Sequence, residues 1–291
     1  MGCCVSKSGA DGQYAASNAS RREEAWRRTG MVGLRDAGLK EIPGVVFSDG
    51  ALCVVVKTLD ASNNRLSALP ETVGALTNLR SLTLARNVIA RLPRSLATCA
   101  NLRTLVLDDN RLETLPEEDA FFAGLVRLKS FSLARNALAS LPDGVGRLKA
   151  LETLNLSGNA LATLPSAIGH CSKLEALDVS DNAPSTSATT FVLPAELGSC
   201  ENLRSLACDG SPVRAVPEAI LTRCDRLATL SLHGCPIDIA RLEDTRGWTA
   251  HAARVKGKHS KTVAGGAMVG ARGLDDGVDR REERIAPHRG R

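Results

Sequence analysis

One pattern governs what this chain can fold into. A proline preceded by an apolar residue recurs at Leu69-Pro70, Leu92-Pro93, Leu115-Pro116, Leu141-Pro142, Leu164-Pro165, Leu193-Pro194 and Val216-Pro217, at intervals of 23, 23, 26, 23, 29 and 23 residues. Ahead of each stands a version of LxxLxLxxNxLxxLP. The copy with Leu79, Leu82, Leu84, Asn87, Ile89, Leu92 and Pro93 is complete, and the copies from Leu102 and Leu151 are equally clean. A fixed period of this length marks a chain whose units cannot bury their apolar faces alone and must stack.

Within each unit, two leucines one residue apart, such as Leu82 and Leu84, alternate as on a short strand and point to one side. Residues 81, 83 and 85 then point to the other side. The asparagine sits where the chain leaves the strand, and its amide can satisfy backbone groups there. A buried polar group without a partner costs about 1–3 kcal/mol. Six units carry this asparagine; Ser211 and Cys235 replace it in the last two, where a weaker ladder is expected.

The pattern resembles the leucine-rich repeat, specifically the 23-residue class of Ras-group-related and Ras-suppressor-like proteins, over roughly residues 30–245. The resemblance implies an α/β solenoid. This is a horseshoe with short parallel strands on its concave face, and the ends of such a stack need closing with helices. The expected organisation is a flexible acylated tether over 1–19, a cap helix and degenerate first repeat over 20–55, and eight repeats over 56–237. A cap helix over 238–256 and a basic, mostly disordered tail over 257–291 follow. Ser20 and Glu23 form a capping-box signature for the first helix. Trp26 and Trp248, one at each end, read as plugs rather than binding anchors.

The nine cysteines follow the repeat. Cys53, Cys99, Cys171, Cys200 and Cys224 each stand three residues before the first leucine of a unit, where Leu76, Leu125 and Leu148 stand elsewhere. They read as small core hydrophobes. Cys208 takes an inward strand position. With no CxxC pair, neither a metal site nor a redox pair is expected among these seven. Two units are lengthened. The first insertion carries Phe121 and Phe122, one of which is expected in the core, with the extra turn relaxing into a longer helix. The second, the Ser/Thr-rich 183–193, is a surface loop open to phosphorylation.

Cys3 and Cys4 belong to a different chemistry. Met1-Gly2-Cys3-Cys4-Val5-Ser6-Lys7 fits N-myristoylation of Gly2, with Ser6 and Lys7 as its context and Cys3 and Cys4 as palmitoyl acceptors. One myristoyl chain binds a bilayer only marginally, with an association constant of about 10⁴ M⁻¹, so a second chain is what makes release slow. Lys7, Arg21, Arg22, Arg27 and Arg28 either add a basic patch beside an anionic leaflet or solvate the cap helix. No run of 18 or more apolar residues exists, so no transmembrane helix is expected, and nothing apolar follows the first residues as in a secretory signal. The expected location is the cytoplasmic face of a membrane, the plasma membrane in particular, or the cytosol when unacylated.

No Walker loop, GxSxG elbow, HExxH or kinase signature is present, and the histidines do not pair at ligand spacing. No catalysis, cofactor or metal is expected. The net charge of +5 lies entirely in residues 251–291, so nucleic-acid binding by the repeats is not expected. The concave face, from Thr58, Asp60 and Ser62 to Thr229, Ser231 and His233, is small and polar, and Asp178, Asp209 and His233 are its candidate contacts. Along its flank Lys57, Arg80, Arg103 and Lys129 form a basic stripe that either recognises an acidic partner or merely solvates the surface. A monomeric, membrane-tethered interaction scaffold follows. The alternative is a regulatory or inhibitory subunit of one enzyme; by analogy with the resembled class, this would be a small GTPase, a phosphatase or a kinase complex.

Overall fold

In the computed structural model, residues 16–183 and 190–255 are described, with side chains from residue 20 onward. Gly2, Cys3, Cys4, Ser6 and Lys7, most of the Ser/Thr-rich insertion, and the tail beyond 255 lie outside the described residues. Nine three-residue strands, β1 (Met31–Gly33), β2 (Thr58–Asp60), β3 (Ser81–Thr83), β4 (Thr104–Val106), β5 (Ser130–Ser132), β6 (Thr153–Asn155), β7 (Ala176–Asp178), β8 (Ser205–Ala207) and β9 (Thr229–Ser231), form one parallel sheet in sequence order. The register never slips. Leu59, Leu82, Leu105, Phe131, Leu154, Leu177, Leu206 and Leu230 stand opposite one another and are buried. The chain is an α/β solenoid of the leucine-rich-repeat kind.

The return leg of each coil is short. Behind each Leu-Pro step, single 3₁₀ turns such as Glu71–Ala75, Arg94–Thr98 and Ser166–His170 press one apolar residue, Val73, Leu96 or Ile168, into the core. These turns lie nearly in contact. A Cβ on Gly169 would come within 2.4 Å of the Glu196 carbonyl in the next coil, so a side chain cannot fit there. The insertion at 119–124 replaces the 3₁₀ turn with an α-helix, which in chain order is α4 (Asp119–Gly124) after α1 (Ala16–Thr29), α2 (Val45–Ser48) and α3 (Gly50–Cys53). Both phenylalanines are buried, not one. They pack edge to face with centroids 5.1 Å apart, because the α-turn aims two successive side chains inward.

The asparagine ladder joins the coils. Asn110 Nδ2 donates to the carbonyl of Leu84 in the preceding coil (3.0 Å) and to Leu107 in its own (2.9 Å), and its Oδ1 accepts the Ile89 amide (3.0 Å). Asn87, Asn136, Asn159 and Asn182 repeat the arrangement. Asn64 does the same for the degenerate first coil, accepting the Ala37 and Leu39 amides. Ser211 manages two such bonds, to Val179 and from the Asn182 amide, and Cys235 Sγ one, to the Cys208 carbonyl. A second asparagine, Asn78, Asn101 or Asn202 just before a leucine, also spans coils on the outer side by donating to Val54, Thr77 or Ser172.

The cysteines do more than fill space. The thiols of Cys99, Cys171, Cys200 and Cys224 each donate at 3.4–3.5 Å to the carbonyl of the buried residue in the preceding return turn, Val73, Val145, Ile168 or Leu197. Leucine in that register offers no such bond. Burial pushes these thiols up to about 11, and Cys200 up to about 12.

The ends differ from the sequence reading. Helix α1 begins at Ala16, so Ser20 lies inside the helix instead of capping it. Its clasp is Arg27, which bonds Asp49 at 2.5 Å and approaches Glu23 at 3.7 Å; Arg27 is thereby withdrawn from any lipid-facing patch. The same guanidinium holds the Asp49 carboxyl below its ordinary range, while Asp49 also caps α3 through the Ala51 and Leu52 amides. Beyond α5 (Glu218–Arg223), the C-terminal cap is two helices, α6 (Ile239–Glu243) and α7 (248–255), not one. Gly247, at φ +93°, breaks them apart. Leu242 is buried, Trp248 packs against the core from the edge, and Arg254 ties α7 to Asp225 at 3.1 Å.

Two measurements follow from this packing. Asn110→Ala strands a buried amide and removes both carbonyl bonds, so it should cost about 2–4 kcal/mol in urea unfolding, against about 1 kcal/mol for Ser211→Ala; equal losses would mean the ladder is not graded. In the folded chain at pH 8, iodoacetamide should leave Cys99, Cys171, Cys200 and Cys224 unmodified by peptide mass spectrometry, and modify all four once the chain is unfolded.

Candidate functional site

Because the register is unbroken, side chains of like position form columns across the coils. Adjacent parallel strands lie about 4.8 Å apart, and that spacing is imposed on every column. The concave face carries such columns. The first outward position runs from Thr58 and Ser81 through Thr104, Ser130 and Thr153 to Ser205 and Thr229, hydroxyls interrupted only by Ala176. Met31 heads this row and is 59% exposed.

One residue earlier stands the flank column. Its backbone is continuous: the amides of Arg80, Arg103, Lys129, Glu152, Glu175 and Arg204 each donate to the carbonyl of the column residue one coil before, at 2.7–2.8 Å. The side chains divide it. Lys129 bonds Glu152 at 2.6 Å, and Arg204 approaches Glu175 at 3.3 Å. Lys57, Arg80 and Arg103 are exposed and make no ion pair among the described residues. The basic stripe of four read from sequence is therefore an open run of three, closed at its fourth member by a carboxylate one coil on.

The opposite edge behaves differently. Arg86, Asp109, Arg135 and Asp181 occupy the left-handed region, φ 53–57°, where the chain turns out of the sheet. Asp109 takes a two-pronged bond from Arg135, 2.7 Å on the Nη2 side, and lies 3.8 Å from Arg86. The Arg135 bond holds its carboxyl below the ordinary range. Around Asp109 this edge is internally neutralised.

The three candidate contacts on the concave face separate into two places. Asp209 and His233 come together: Asp209 accepts the His233 amide at 2.8 Å and the Ser231 hydroxyl at 2.7 Å, with His233 Nδ1 at 3.3 Å. Asp178 is apart from them and closes its own turn by accepting the Ser180 amide at 2.9 Å. A shallow cleft of about 270 Å³ beside α4, lined by Glu117, Asp119 and Asp143, is already bridged by Arg147, 2.8 Å from Asp119. Among the described residues no group of three or more His, Cys, Asp or Glu could hold a metal ion, and no helix is long and apolar enough to cross a membrane.

Known proteins are similar to parts of this chain. A rice protein, plant intracellular Ras-group-related LRR protein 7, is 40% identical over 85 residues, 29% of this chain and 29% of its own. Its counterpart 8, also from rice, is 37% identical over 73 residues, 25% of this chain and 18% of its own. The matched stretches thus span less than a third of either relative. The crystal structure of a TDR receptor superposes with a TM-score of 0.53 at 25% identity, covering 65% of this chain and 36% of the receptor. The family model described as a leucine-rich repeat region matches residues 79–233, more than half of the sequence. With the strand register, the asparagine ladder and this match in agreement, the chain belongs to the leucine-rich repeat family.

Proposed function

We propose that this protein is a non-enzymatic interaction scaffold, held at the cytoplasmic face of a membrane by myristate on Gly2 and palmitate on Cys3 or Cys4. The observation that carries the scaffold reading is the uninterrupted, outward-facing set of columns on a rigid sheet, a surface shaped to meet another protein over many coils. The leucine-rich-repeat membership supports it, and its likeness to rice proteins named as intracellular supports an intracellular site. The acyl reading rests on the Met1–Lys7 signature. Tethering then acts by concentration: a partner bound to the solenoid is confined to a layer at the membrane, where a second encounter becomes effectively intramolecular. The exposed Arg21 and Arg28 of the first cap helix add attraction to an anionic leaflet.

The test is fractionation of cells expressing the intact chain and Gly2→Ala. The intact chain should sediment with membranes and carry a myristoyl mass on its N-terminal peptide, and Gly2→Ala should become soluble. Unchanged membrane association of the variant would refute the anchor. One enzyme recovered in equal amount with the solubilised protein would point instead to a dedicated regulatory subunit.

A further inference from the structure

We infer that the open column Lys57–Arg80–Arg103 is the docking site for an acidic α-helical segment of a partner protein, laid across the coils with about one carboxylate per turn over each cation. This deepens the scaffold reading and rests on it, but not on the lipid anchor.

The first support is charge left uncompensated. Coil stacking holds the three column positions one coil apart, about 4.8 Å, with like charge at each. At that separation two unit charges repel by about 1 kcal/mol in water, and nothing in the fold needs the arrangement. The same column shows the remedy three coils on, where Glu152 and Glu175 meet Lys129 and Arg204. Only its first three members keep their charge free for something outside the described chain.

The second support is pitch. From Lys57 to Arg103 is two coil spacings, about 9.6 Å. A helix with acidic residues at i, i+3 or i+4, and i+7 presents three carboxylates over about 10.5 Å along one face. An extended segment placing alternate side chains on one face covers about 13 Å for the same three. The column therefore matches a helix better than a strand.

The third is the neighbouring surface. Thr58, Ser81 and Thr104 stand beside the cations in the first outward column, small and half-buried, so a helix can approach closely and find hydroxyl donors for its carboxylates. Met31, exposed at the head of that row, offers one apolar foothold. The row beside the cations is hydroxyl, so it lacks the apolar face by which a basic amphipathic surface inserts into a bilayer.

The experiment uses the full chain as Gly2→Ala, so that the anchor plays no part and its failure elsewhere leaves this result standing. Fluorescence anisotropy is followed with a stapled helical peptide carrying Glu at i, i+3 and i+7, and with an unstapled peptide of the same composition carrying Glu at i, i+2 and i+4. The stapled peptide should bind more tightly, lose affinity as salt rises, and weaken roughly tenfold with the triple variant Lys57→Ala, Arg80→Ala, Arg103→Ala. Arg204→Ala, at a paired position of the same column, should leave binding unchanged. A Lys57→Glu, Arg80→Glu, Arg103→Glu chain should lose the acidic peptide and gain a stapled peptide bearing Lys at the same positions. The four side chains replaced in these variants, Lys57, Arg80, Arg103 and Arg204, are exposed, and unchanged thermal unfolding by circular dichroism checks that folding is intact. No binding of the stapled peptide, equal affinity for both acidic peptides, or indifference to the triple variant overturns the proposal. Tight binding to phosphatidylserine vesicles that the triple variant abolishes, without peptide binding, overturns it in favour of a lipid surface.

Discussion

The structure depends on what a buried carboxamide can do at a turn. Each coil gives only three residues to the sheet, so most of its backbone must find partners elsewhere. Where the chain leaves the strand it is already buried, and water cannot supply them. Asparagine carries a donor and an acceptor on one short side chain, and Asn110 uses both to reach its own coil and the one before. Serine has the right reach but only a hydroxyl, and cysteine only a weak donor. The fold is therefore held by a polar interaction inside an apolar core. Leucine provides the driving force and asparagine fixes the pitch.

Fixed pitch is what turns sequence into a surface. The flank column is joined by backbone bonds of 2.7–2.8 Å whatever side chains it carries. Any residue with a backbone N–H, which excludes only proline, can stand in it without breaking those bonds. The column is thus free to carry Lys57, Arg80 and Arg103 side by side and then reverse sign at Glu152. At the opposite edge the left-handed turn admits Arg86, Asp109, Arg135 and Asp181, and there Asp109 meets Arg135 and lies near Arg86 across coils. The two edges carry different electrostatics because the arginines of this one face a carboxylate within the protein, while Lys57, Arg80 and Arg103 make no ion pair among the described residues.

Much of this was legible in the sequence because the repeat is strict. Leucine, asparagine and proline positions gave strand, turn and return leg, and the register of Cys99, Cys171, Cys200 and Cys224 placed them in the core. The thiol bonds to the preceding coil were not legible, since spacing does not reveal which carbonyl a side chain will face. The second asparagine position could have been found: Asn78-Leu79, Asn101-Leu102 and Asn202-Leu203 recur before the strand, but a polar residue outside the core pattern carries no periodic apolar signal. Reading Ser20 as a cap failed because Ala16–Asn18 continue the helix at little cost, and local capping chemistry does not forbid a longer one. The single C-terminal helix failed at Gly247, which takes φ +93° and leaves no room for a Cβ beside Thr222 and Leu221. Of the stripe, the residue types were read correctly, but pairing of Lys129 with Glu152 depends on side-chain reach between coils.

Stability is also distributed along the stack, and this bears on the surface. Coils carrying Asn64, Asn87 and Asn110 have the full set of ladder bonds, whereas those of Ser211 and Cys235 have fewer. At the ends, arginine clasps hold the caps, Arg27 on Asp49 at one and Arg254 on Asp225 with Arg246 on Glu218 at the other, pairs at the surface that salt weakens. Openings of the native state begin where cross-coil bonds are fewest, which places the yielding region near Cys235 rather than near Asn87. Lys57, Arg80 and Arg103 project from the fully laddered coils. Their backbone is already ordered before any partner arrives, so association there has less conformational entropy to overcome. A column of exposed like charges gains directional meaning on such a frame, because the spacing of its members is set before a partner arrives.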